Sequence, residues 1–419
     1  MTPQAPLSRS DLLRILTEAC ELEHGLACSY LYAAMTLRRE PAGNLLPPDQ
    51  VLLVRQWASQ VYFVASQEML HLAQVWNLLT ALGGAPYYLR PNFPQSVKYY
   101  PLHMRLALEP YGEAALDRFI GYEKPIEVLT DHSFVDDLVK PRSGDDPANF
   151  RTVGELYETI EHGIRQLPDA IIGEPSAQVG PDLIDFPDVV RVTDIDSARE
   201  AIHRITGEGE GTQQDRKDCH FGIFMGLRDA LRHEKRRNPR FAPAHPAMTN
   251  PATDTSEAYG APRASLIRDA YAAEVARLFD GLYSLMLRML SYTFAPCGAA
   301  DLRRAFGQTA IILMATVIKP LGEALTALPA AQDSDLTAGP PFGLTRHVIL
   351  PVDANPARLL VAERLAELSA KSAVLASRRQ APASLGRVEA ALRRLGGSPG
   401  MTLPAGAQPS AEVRRETTV

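Results

Sequence analysis

Two residues of the run SQEMLHLAQVWNLL have the types and the spacing of a metal chelate. Glu68 and His71 are three residues apart, so on a helix both side chains project from one face. The residues around them are apolar on nearly every side of this helix, which indicates that the helix is buried. A charged glutamate in such a helix needs a partner. The pair is therefore a candidate carboxylate–histidine chelate, and the alternative is a Glu–His hydrogen bond without a metal.

A second candidate ligand lies in the run EACELEHGLACSYLYAAM. Glu23 and Tyr30 are seven residues apart, which is two helical turns along one face, and Tyr30 lies in an apolar stripe. Glu23 is then a carboxylate that points inward. The alternative is that Glu23 pairs with a cation at the edge of the helices, while Tyr30 is a core aromatic with a bonded hydroxyl.

A third segment, AIHRITGEGEGTQQDRKDCHFGIF, places two glutamates between glycines and a histidine after them. Glu208 and Glu210 precede His220, and the glycines permit a backbone bend that could turn a carboxylate inward at a helix end. The alternative is a flexible polar loop with solvated glutamates, in which His220 fills space beside Phe221.

Together these residues predict a site with mixed oxygen and nitrogen ligands. Such ligands suit iron or manganese better than zinc. In di-iron carboxylate bundles, Glu-x-x-His motifs on two helices combine with single glutamates from two other helices. A metal with open positions could react with dioxygen. Tyr30, Tyr62 and His24 are candidates to hold its ligands by hydrogen bonds, and the alternative for each is a packing role. The Tyr-rich excursion 85–125 could form a substrate wall or a lid without function.

The elements that must position these residues are helical. The apolar spacing and the helix-terminating residues predict nine helices. The first is capped near Ser10. The predicted helices cover residues 8–39, 49–82, 112–122, 152–167, 197–206, 215–235, 264–293, 299–327 and 356–378. Residues 168–193 are predicted to form a loop or a small strand pair.

The chain is predicted to divide into four parts. They are a metal-binding bundle over 1–237, a linker over 238–262, a helical region over 263–380 that packs on the bundle, and a disordered tail over 381–419.

The composition limits the classes of partner. The chain has 419 residues, 46% of them hydrophobic, and a net charge of −6 with scattered basic residues, which argues against a nucleic-acid partner. Four cysteines without a C-x-x-C pair favour a reducing compartment. The N-terminus resembles no leader, and no run of about 18 uncharged apolar residues predicts a membrane span. We therefore expect a cytoplasmic protein with a small-molecule substrate, and a homo-oligomer is compatible with this sequence.

Several runs together resemble a known family. They are LEHGLACSYLYA, QEMLHLAQVWNLLTALGG, YEKP, TVGELYETI, ITGEGEG followed by HFGIF, and AGPPF. Between about residues 10 and 375 the chain is similar to the ferritin-like family named for iminophenyl-pyruvate dimer synthase. That enzyme type oxidatively couples imines derived from amino acids, in bisindole pathways such as those to violacein and rebeccamycin. The resemblance implies an all-α fold: a ferritin-like four-helix bundle with irregular insertions and additional C-terminal helices.

The resemblance also implies a ligand set. It makes Glu23, Glu68, His71, Glu210 and His220 the metal ligands, with one or two non-haem irons as the cofactor and dioxygen as a co-substrate. Glu210 is preferred to Glu208 because members of the family often carry Gln-Gly-Glu-Gly there, which aligns Glu208 with the glutamine.

One position departs from the family pattern. Similar proteins tend to have a glutamate three residues before the histidine, where this chain has Lys217, and Asp218 is one position off, about 100° around a helix. The site is then mononuclear, asymmetric, or completed by another of the available glutamates. The candidates for this completion are Glu208, Glu123 and Glu155.

Three functions remain open on the sequence. The first is an iron-dependent oxidase or oxygenase that acts on an amino-acid-derived small molecule in specialised metabolism. The second is a ferroxidase or iron-storage protein, against which the C-terminal extension argues. The third is a structural bundle with a degraded metal site, which Lys217 keeps open.

Overall fold

The fold is helical throughout the part of the chain that the structure describes. A computed structural model describes residues 7–95, 105–125, 150, 152–167, 169–186, 188–209, 218–254, 266–295, 298–344, 348–398 and 401. The helices of the N-terminal half are α1 (Arg9–Thr36), α2 (Val51–Ala81), α3 (Glu113–Tyr122), α4 (Val153–Gln166), α5 (Ile195–Glu208) and α6 (His220–Arg237). Within the described residues, 169–186 and 188–193 contain a short 3₁₀ turn, Pro175–Ala177, and no strand pair.

The two long helices α1 and α2 form the centre of the bundle and pack along each other. The cap of helix α1 is Ser8, two residues before the predicted Ser10. The Ser8 side chain accepts from the backbone of Asp11, and the Asp11 carboxylate accepts from the backbone of Ser8. Helix α2 ends before Gly83, which has a φ of 87° that favours glycine.

The shorter helices surround this pair. Helix α4 packs against α1, helix α5 packs against α2 and α4, and α3 packs against α6, which also reaches α2. The end of α3, the end of α5 and the start of α6 therefore approach the buried side of α2.

Residues 238–254, the first part of the predicted linker, are packed against the helices and are not an exposed spacer. The Ala244 backbone pairs with Leu37, and the Met248 N–H donates to the carbonyl of Thr337. Phe241 is buried beside Trp57. The prolines and small polar residues of this segment predicted a linker. In the structure, its backbone forms hydrogen bonds with neighbouring segments. The remainder, 255–262, lies outside the described residues.

The C-terminal half adds a second group of helices. They are α7 (Ala270–Phe294), α8 (Ala300–Leu313), α9 (Lys319–Leu325), α10 (Ala354–Ala376) and α11 (Ala383–Gly396), with a π-helical segment, Met314–Ile318, between α8 and α9. Helix α7 contacts α2 and α9 contacts α1. Helix α11 lies where a disordered tail was predicted. Its buried Leu385, Val388 and Leu392 explain its order, because they give it an apolar face that packs on α9 and α10.

The run from α8 through α9, Ala300–Leu325, is long and apolar enough by composition to cross a membrane, and half of its most apolar window is buried inside this fold. A core helix of a water-soluble protein has the same properties, so the run alone identifies neither environment.

Candidate metal centre

Glu23, Glu68 and His71 converge in the interior of the bundle, and each is fully buried. His71 Nδ1 lies 3.2 Å from Glu68 Oε2 and 3.5 Å from Glu23 Oε2. These three residues offer ligand atoms within 4.8 Å of one another, which is close enough to hold one metal ion. The first candidate metal position is therefore built from α1 and α2.

A second group lies beside the first. His220 Nδ1 is 2.9 Å from Glu68 Oε1 and 3.6 Å from Glu123 Oε2. These three residues also offer ligand atoms within 4.8 Å of one another. Glu68 belongs to both groups, with one oxygen toward each histidine. The imidazole rings of His71 and His220 are stacked with centroids 5.6 Å apart. The geometry is thus that of two neighbouring positions bridged by one carboxylate.

The far nitrogen of each histidine is held by a polar side chain. His71 Nε2 lies 3.2 Å from Glu208 Oε2, and His220 Nε2 lies 3.1 Å from Gln67 Oε1. A proton on Nε2 would donate to these oxygens, which leaves Nδ1 with its lone pair toward the carboxylates. Such outer partners commonly fix the tautomer and orientation of metal-binding histidines.

Two buried tyrosines hold the outer carboxylates in the same manner. The Tyr157 hydroxyl donates to Glu23 Oε1, and the Tyr30 hydroxyl donates to Glu123 Oε1. In each glutamate the other oxygen, Oε2, is left to face the histidines. Tyr30 is itself fixed by Phe119 and Phe224, with ring centroids 4.7 and 4.9 Å away.

The ends of short helices position half of this site. Glu123 is the C-terminal cap of α3, Glu208 is the last residue of α5, and His220 is the first residue of α6. Gly209 follows Glu208 and lies against His220: a Cβ at this position would be 2.4 Å from His220 Nδ1. The close approach of backbone and imidazole explains why a glycine stands here.

Burial and mutual contact shift the pKa values of these groups in opposite directions. Burial raises the pKa of Glu23 to about 8, despite the nearby imidazole of His71. Burial also opposes charge on Glu68, but the nearby imidazoles of His220 and His71 outweigh it and lower the pKa of Glu68. Burial lowers the pKa of His220, and Glu68 and Glu123 more than reverse this effect, raising it to about 9. In the absence of a cation, protons on the imidazoles balance the carboxylates.

A metal ion fits this arrangement better than protons alone. Four inward atoms are buried and have no hydrogen-bond partner: Glu23 Oε2, Glu68 Oε1, Glu123 Oε2 and His220 Nδ1. Glu68 Oε1 and His220 Nδ1 are close in distance, yet their orientation is not that of a hydrogen bond. Buried polar atoms rarely stay unpaired. Glu23 lies in the first group and the residues of the other three atoms form the second, so each group contains unpaired atoms that a cation would satisfy.

The structure brings together four of the five residues predicted as ligands: Glu23, Glu68, His71 and His220. The fifth, Glu210, and Lys217 lie outside the described residues. Of the three glutamates proposed to complete the site, Glu123 takes part in the second group and Glu208 contacts His71. No described contact brings Glu155 to the centre. Its backbone is bound by the cap of α4.

The predicted outer partners are partly different. The Tyr30 hydroxyl donates to Glu123 and so contacts the site. Tyr62 instead bonds to Glu323, and His24 bonds to Tyr283, on other faces of their helices. Tyr157, the second tyrosine that holds a carboxylate, lies on the buried apolar face of α4 with Leu156 and Ile160. An apolar stripe carries no signal that a tyrosine hydroxyl will reach a glutamate on another helix.

Comparisons with known proteins relate this chain to one family and to several proteins. The sequence model of the family described as Ferritin-like matches residues 16–229. The chain is 28% identical over 399 residues to dichlorochromopyrrolate synthase of Lentzea aerocolonigenes, covering 87% of this chain and 39% of that protein. It is 28% identical over 361 residues to 2-imino-3-(indol-3-yl)propanoate dimerase of Chromobacterium violaceum, covering 80% of this chain and 34% of that protein. The chain thus spans between a third and two fifths of the length of these relatives. A solved ferritin-like protein from Caulobacter vibrioides is 18% identical with a TM-score of 0.49, covering 72% of this chain and 96% of that chain.

Proposed function

Because this chain belongs to the ferritin-like family, we propose that its buried centre binds two non-haem irons and uses them with dioxygen to oxidise a small molecule derived from an amino acid. The observation that carries the proposal is the sharing of Glu68 between two groups of ligands. A single carboxylate with one oxygen toward each group is suited to bridging two metals. The bound irons would supply redox chemistry with dioxygen, which protein side chains alone do not provide.

The residues around the centre have separate tasks in this proposal. Glu23 and His71 would hold one iron, Glu123 and His220 the other, and Glu68 both. Tyr157 and Tyr30 orient the outer carboxylates through their hydroxyl groups. The apolar interior of α1 and α2 excludes water, which strengthens the electrostatic interactions at the centre.

Access to the centre is proposed on the side of Glu208. Its side chain is 28% exposed, whereas the side chains of Glu23, Glu68 and His71 are fully buried. A reactant that approaches from solvent would therefore pass Glu208 before it reaches His71. Glu208 would also donate or take up a proton there, since it lies between solvent and His71 Nε2.

The names of the relatives suggest the substrate class. One relative is named for dimerising 2-imino-3-(indol-3-yl)propanoate. We extend this class to the present chain as an aromatic 2-imino acid, whose oxidative coupling removes two electrons from a pair of substrate molecules. Dioxygen would accept the two electrons together with the two protons that the coupling releases, giving hydrogen peroxide, and irons held by Glu23, Glu68, His71, Glu123 and His220 would supply the redox chemistry.

The test combines metal titration with a product assay. Purified metal-free protein is titrated with Fe(II) under nitrogen, then exposed to dioxygen with and without the imine, which is generated in place from tryptophan by an amino-acid oxidase and catalase. We expect two irons per chain and a coupled product that depends on iron. Oxidation of Fe(II) without any organic product would favour the ferroxidase, and failure to bind iron would contradict the proposal.

A further inference from the structure

A cavity lies on a different face of α1 and α2 from the carboxylates of the metal centre. Its volume is about 100 Å³. His24 and Leu72 line it, one position after Glu23 and His71 respectively. One position is about 100° around a helix, so the two helices present one face to the metal centre and another to this cavity. The residues of the two candidate metal groups are not among its lining residues. The cavity is therefore a separate site.

The walls of the cavity are aromatic and apolar. Trp76 of α2 meets Phe294 edge to face at 4.9 Å, and Phe342 meets Tyr283 edge to face at 5.2 Å. Methionine side chains complete the lining, and they adapt to irregular ring shapes and contact aromatic rings favourably. These methionines are Met35, Met69, Met286 and Met314. No carboxylate is among the described lining residues. The interior suits an uncharged ring.

Polar groups that contact one another lie at the floor of the cavity. The Tyr283 hydroxyl bonds to His24 Nε2 and lies 3.0 Å from Cys28 Sγ. Arg90 donates to the Phe342 carbonyl at 2.6 Å and holds this residue at a φ of 50°, which is rare for a residue other than glycine. Such strain persists only where the surroundings maintain it, and it is concentrated at binding and catalytic sites. Here it places the Phe342 ring in the cavity wall. Phe342 belongs to the AGPPF run, which has no part in the metal centre.

The mouth of the cavity carries a positive charge. Lys319 is exposed at the end of the π-helical segment Met314–Ile318, and its Nζ lies 4.3 Å from the centroid of the Tyr62 ring. Glu323, one turn further along, is engaged by Arg39 at 3.0 Å and by the Tyr62 hydroxyl at 2.8 Å. Single π-helical turns within α-helices occur frequently at functional sites. An anionic group at the mouth would find Lys319 available.

We propose that this cavity binds a small organic anion, with one aromatic ring between Trp76 and Phe342 and the anionic group beside Lys319. The volume of about 100 Å³ is two thirds of that of an engineered apolar cavity, about 150 Å³, that binds benzene, so the cavity has room for no more than one aromatic ring. A cationic ligand would meet Lys319 and find no carboxylate in the wall. This site needs no metal, so it is independent of the proposed function.

The test uses 3-phenylpropanoate as the probe and Trp76 as the reporter. The chain has two tryptophans, so Trp57→Phe leaves Trp76 alone. Titration of this variant should give a saturable change in Trp76 fluorescence. Lys319→Met should weaken 3-phenylpropanoate binding about twofold to fivefold, the range of an exposed ion pair, and leave 3-phenylpropan-1-ol binding unchanged. Lys235→Met, on α6 away from the cavity, is the matched control.

The second part of the test fills the cavity with a larger side chain. Ala73→Leu adds volume to its wall and should abolish the fluorescence change, whereas Ala315→Leu, at an exposed position of the π-helical segment, should not. If Ala73→Leu does not fold, Met314→Phe at the half-buried mouth replaces it. Glu68→Ala should leave probe binding unchanged, which separates this site from the metal centre. The absence of saturable binding, binding that persists in the filled variant, or equal loss of acid and alcohol in Lys319→Met would overturn the proposal.

Discussion

At the scale of single residues, the candidate metal centre depends on which atom of each side chain faces inward. Glu208 and Gln67 hold the far nitrogens of the two histidines, and Tyr157 and Tyr30 hold the far oxygens of the two outer carboxylates. In each of these four side chains, the hydrogen bond at the far atom fixes which atom faces the centre. Glu68 differs, because both of its oxygens face histidines.

The shared position of Glu68 gives a prediction about metal stoichiometry. Glu68→Ala should reduce binding from two irons per chain to none, because both groups lose a ligand. Glu123→Ala should leave one iron, because it disturbs only the second group. Iron is counted after gel filtration of protein loaded with Fe(II) under nitrogen.

A matched control is available on α4. Glu158→Ala removes an exposed carboxylate one residue after Tyr157 and should leave two irons. If Glu68→Ala and Glu123→Ala both retained two irons, with the circular dichroism of the unaltered protein, the bridging arrangement would be wrong.

Asp280 gives a prediction about pH. Burial raises the pKa of this carboxyl to about 8, against the opposing effects of its bond from the Gly343 N–H and of Arg90. The folded state therefore binds a proton that the unfolded state has lost above its ordinary pKa of 3.8. The free energy of unfolding should fall as pH rises from about 4 to about 8, by at most about 1.4 kcal/mol per pH unit from this group.

Asp280→Asn should remove that part of the pH dependence, because the amide keeps an acceptor for Gly343 and carries no charge. Urea unfolding of both proteins at pH 5 and pH 8 measures the difference, and the exposed Asp333→Asn serves as the control. An equal change in the two proteins between these pH values would contradict the assignment.

At the scale of elements, long helices supply the first group of ligands and the ends of short helices supply much of the second. Glu23, Glu68 and His71 lie in the middle of α1 and α2, where regular backbone fixes their direction. Glu123 and His220 lie at the ends of α3 and α6, so their positions depend on loops and on close backbone contacts.

The contact of Gly209 with His220 can be tested with two glycines of the same run. Gly209→Ala would place a Cβ 2.4 Å from His220 Nδ1, so the imidazole must move and the second metal position should be lost. Gly207→Ala meets open space in helix α5 and should be neutral or stabilise the helix by up to about 1 kcal/mol.

Iron stoichiometry and thermal stability of the two variants check this prediction. One iron in Gly209→Ala and two in Gly207→Ala are expected. Two irons in both variants would show that the glycine is not required by the histidine.

At the scale of the whole molecule, the C-terminal helices are part of the packed structure. Helix α7 contacts α2, α9 contacts α1, and α11 closes over α9 and α10 with a buried apolar face. The helices of the metal centre therefore pack on one side against each other and on the other side against the C-terminal half.

The contribution of α11 can be measured with a pair of leucines. Leu392→Ala removes a fully buried side chain from α11 and should lower the free energy of unfolding by about 2–5 kcal/mol. Leu360→Ala, on α10 and 45% exposed, should change it by less than about 0.5 kcal/mol. Urea unfolding gives both values. Equal effects of the two substitutions would mean that α11 does not pack as described.

The sequence by itself determined the helices before residue 380 and the directions of side chains within each of them. Helical periodicity places Glu68 beside His71 and Glu23 in line with Tyr30, since side chains three, four or seven residues apart share a face. The helices predicted over 49–82 and 152–167 match α2 and α4 within a few residues. These properties depend on local spacing, which a sequence contains.

Only the tertiary structure decided which residues of different helices meet. Glu123, one of three candidates, lies beside His220, and α11 packs where a disordered tail was predicted. The contact of Tyr157 with Glu23 was not predicted. Contacts of this kind depend on how elements far apart in the chain pack together. The periodicity of one helix defines its inward face but carries no information about the partner that the face will meet.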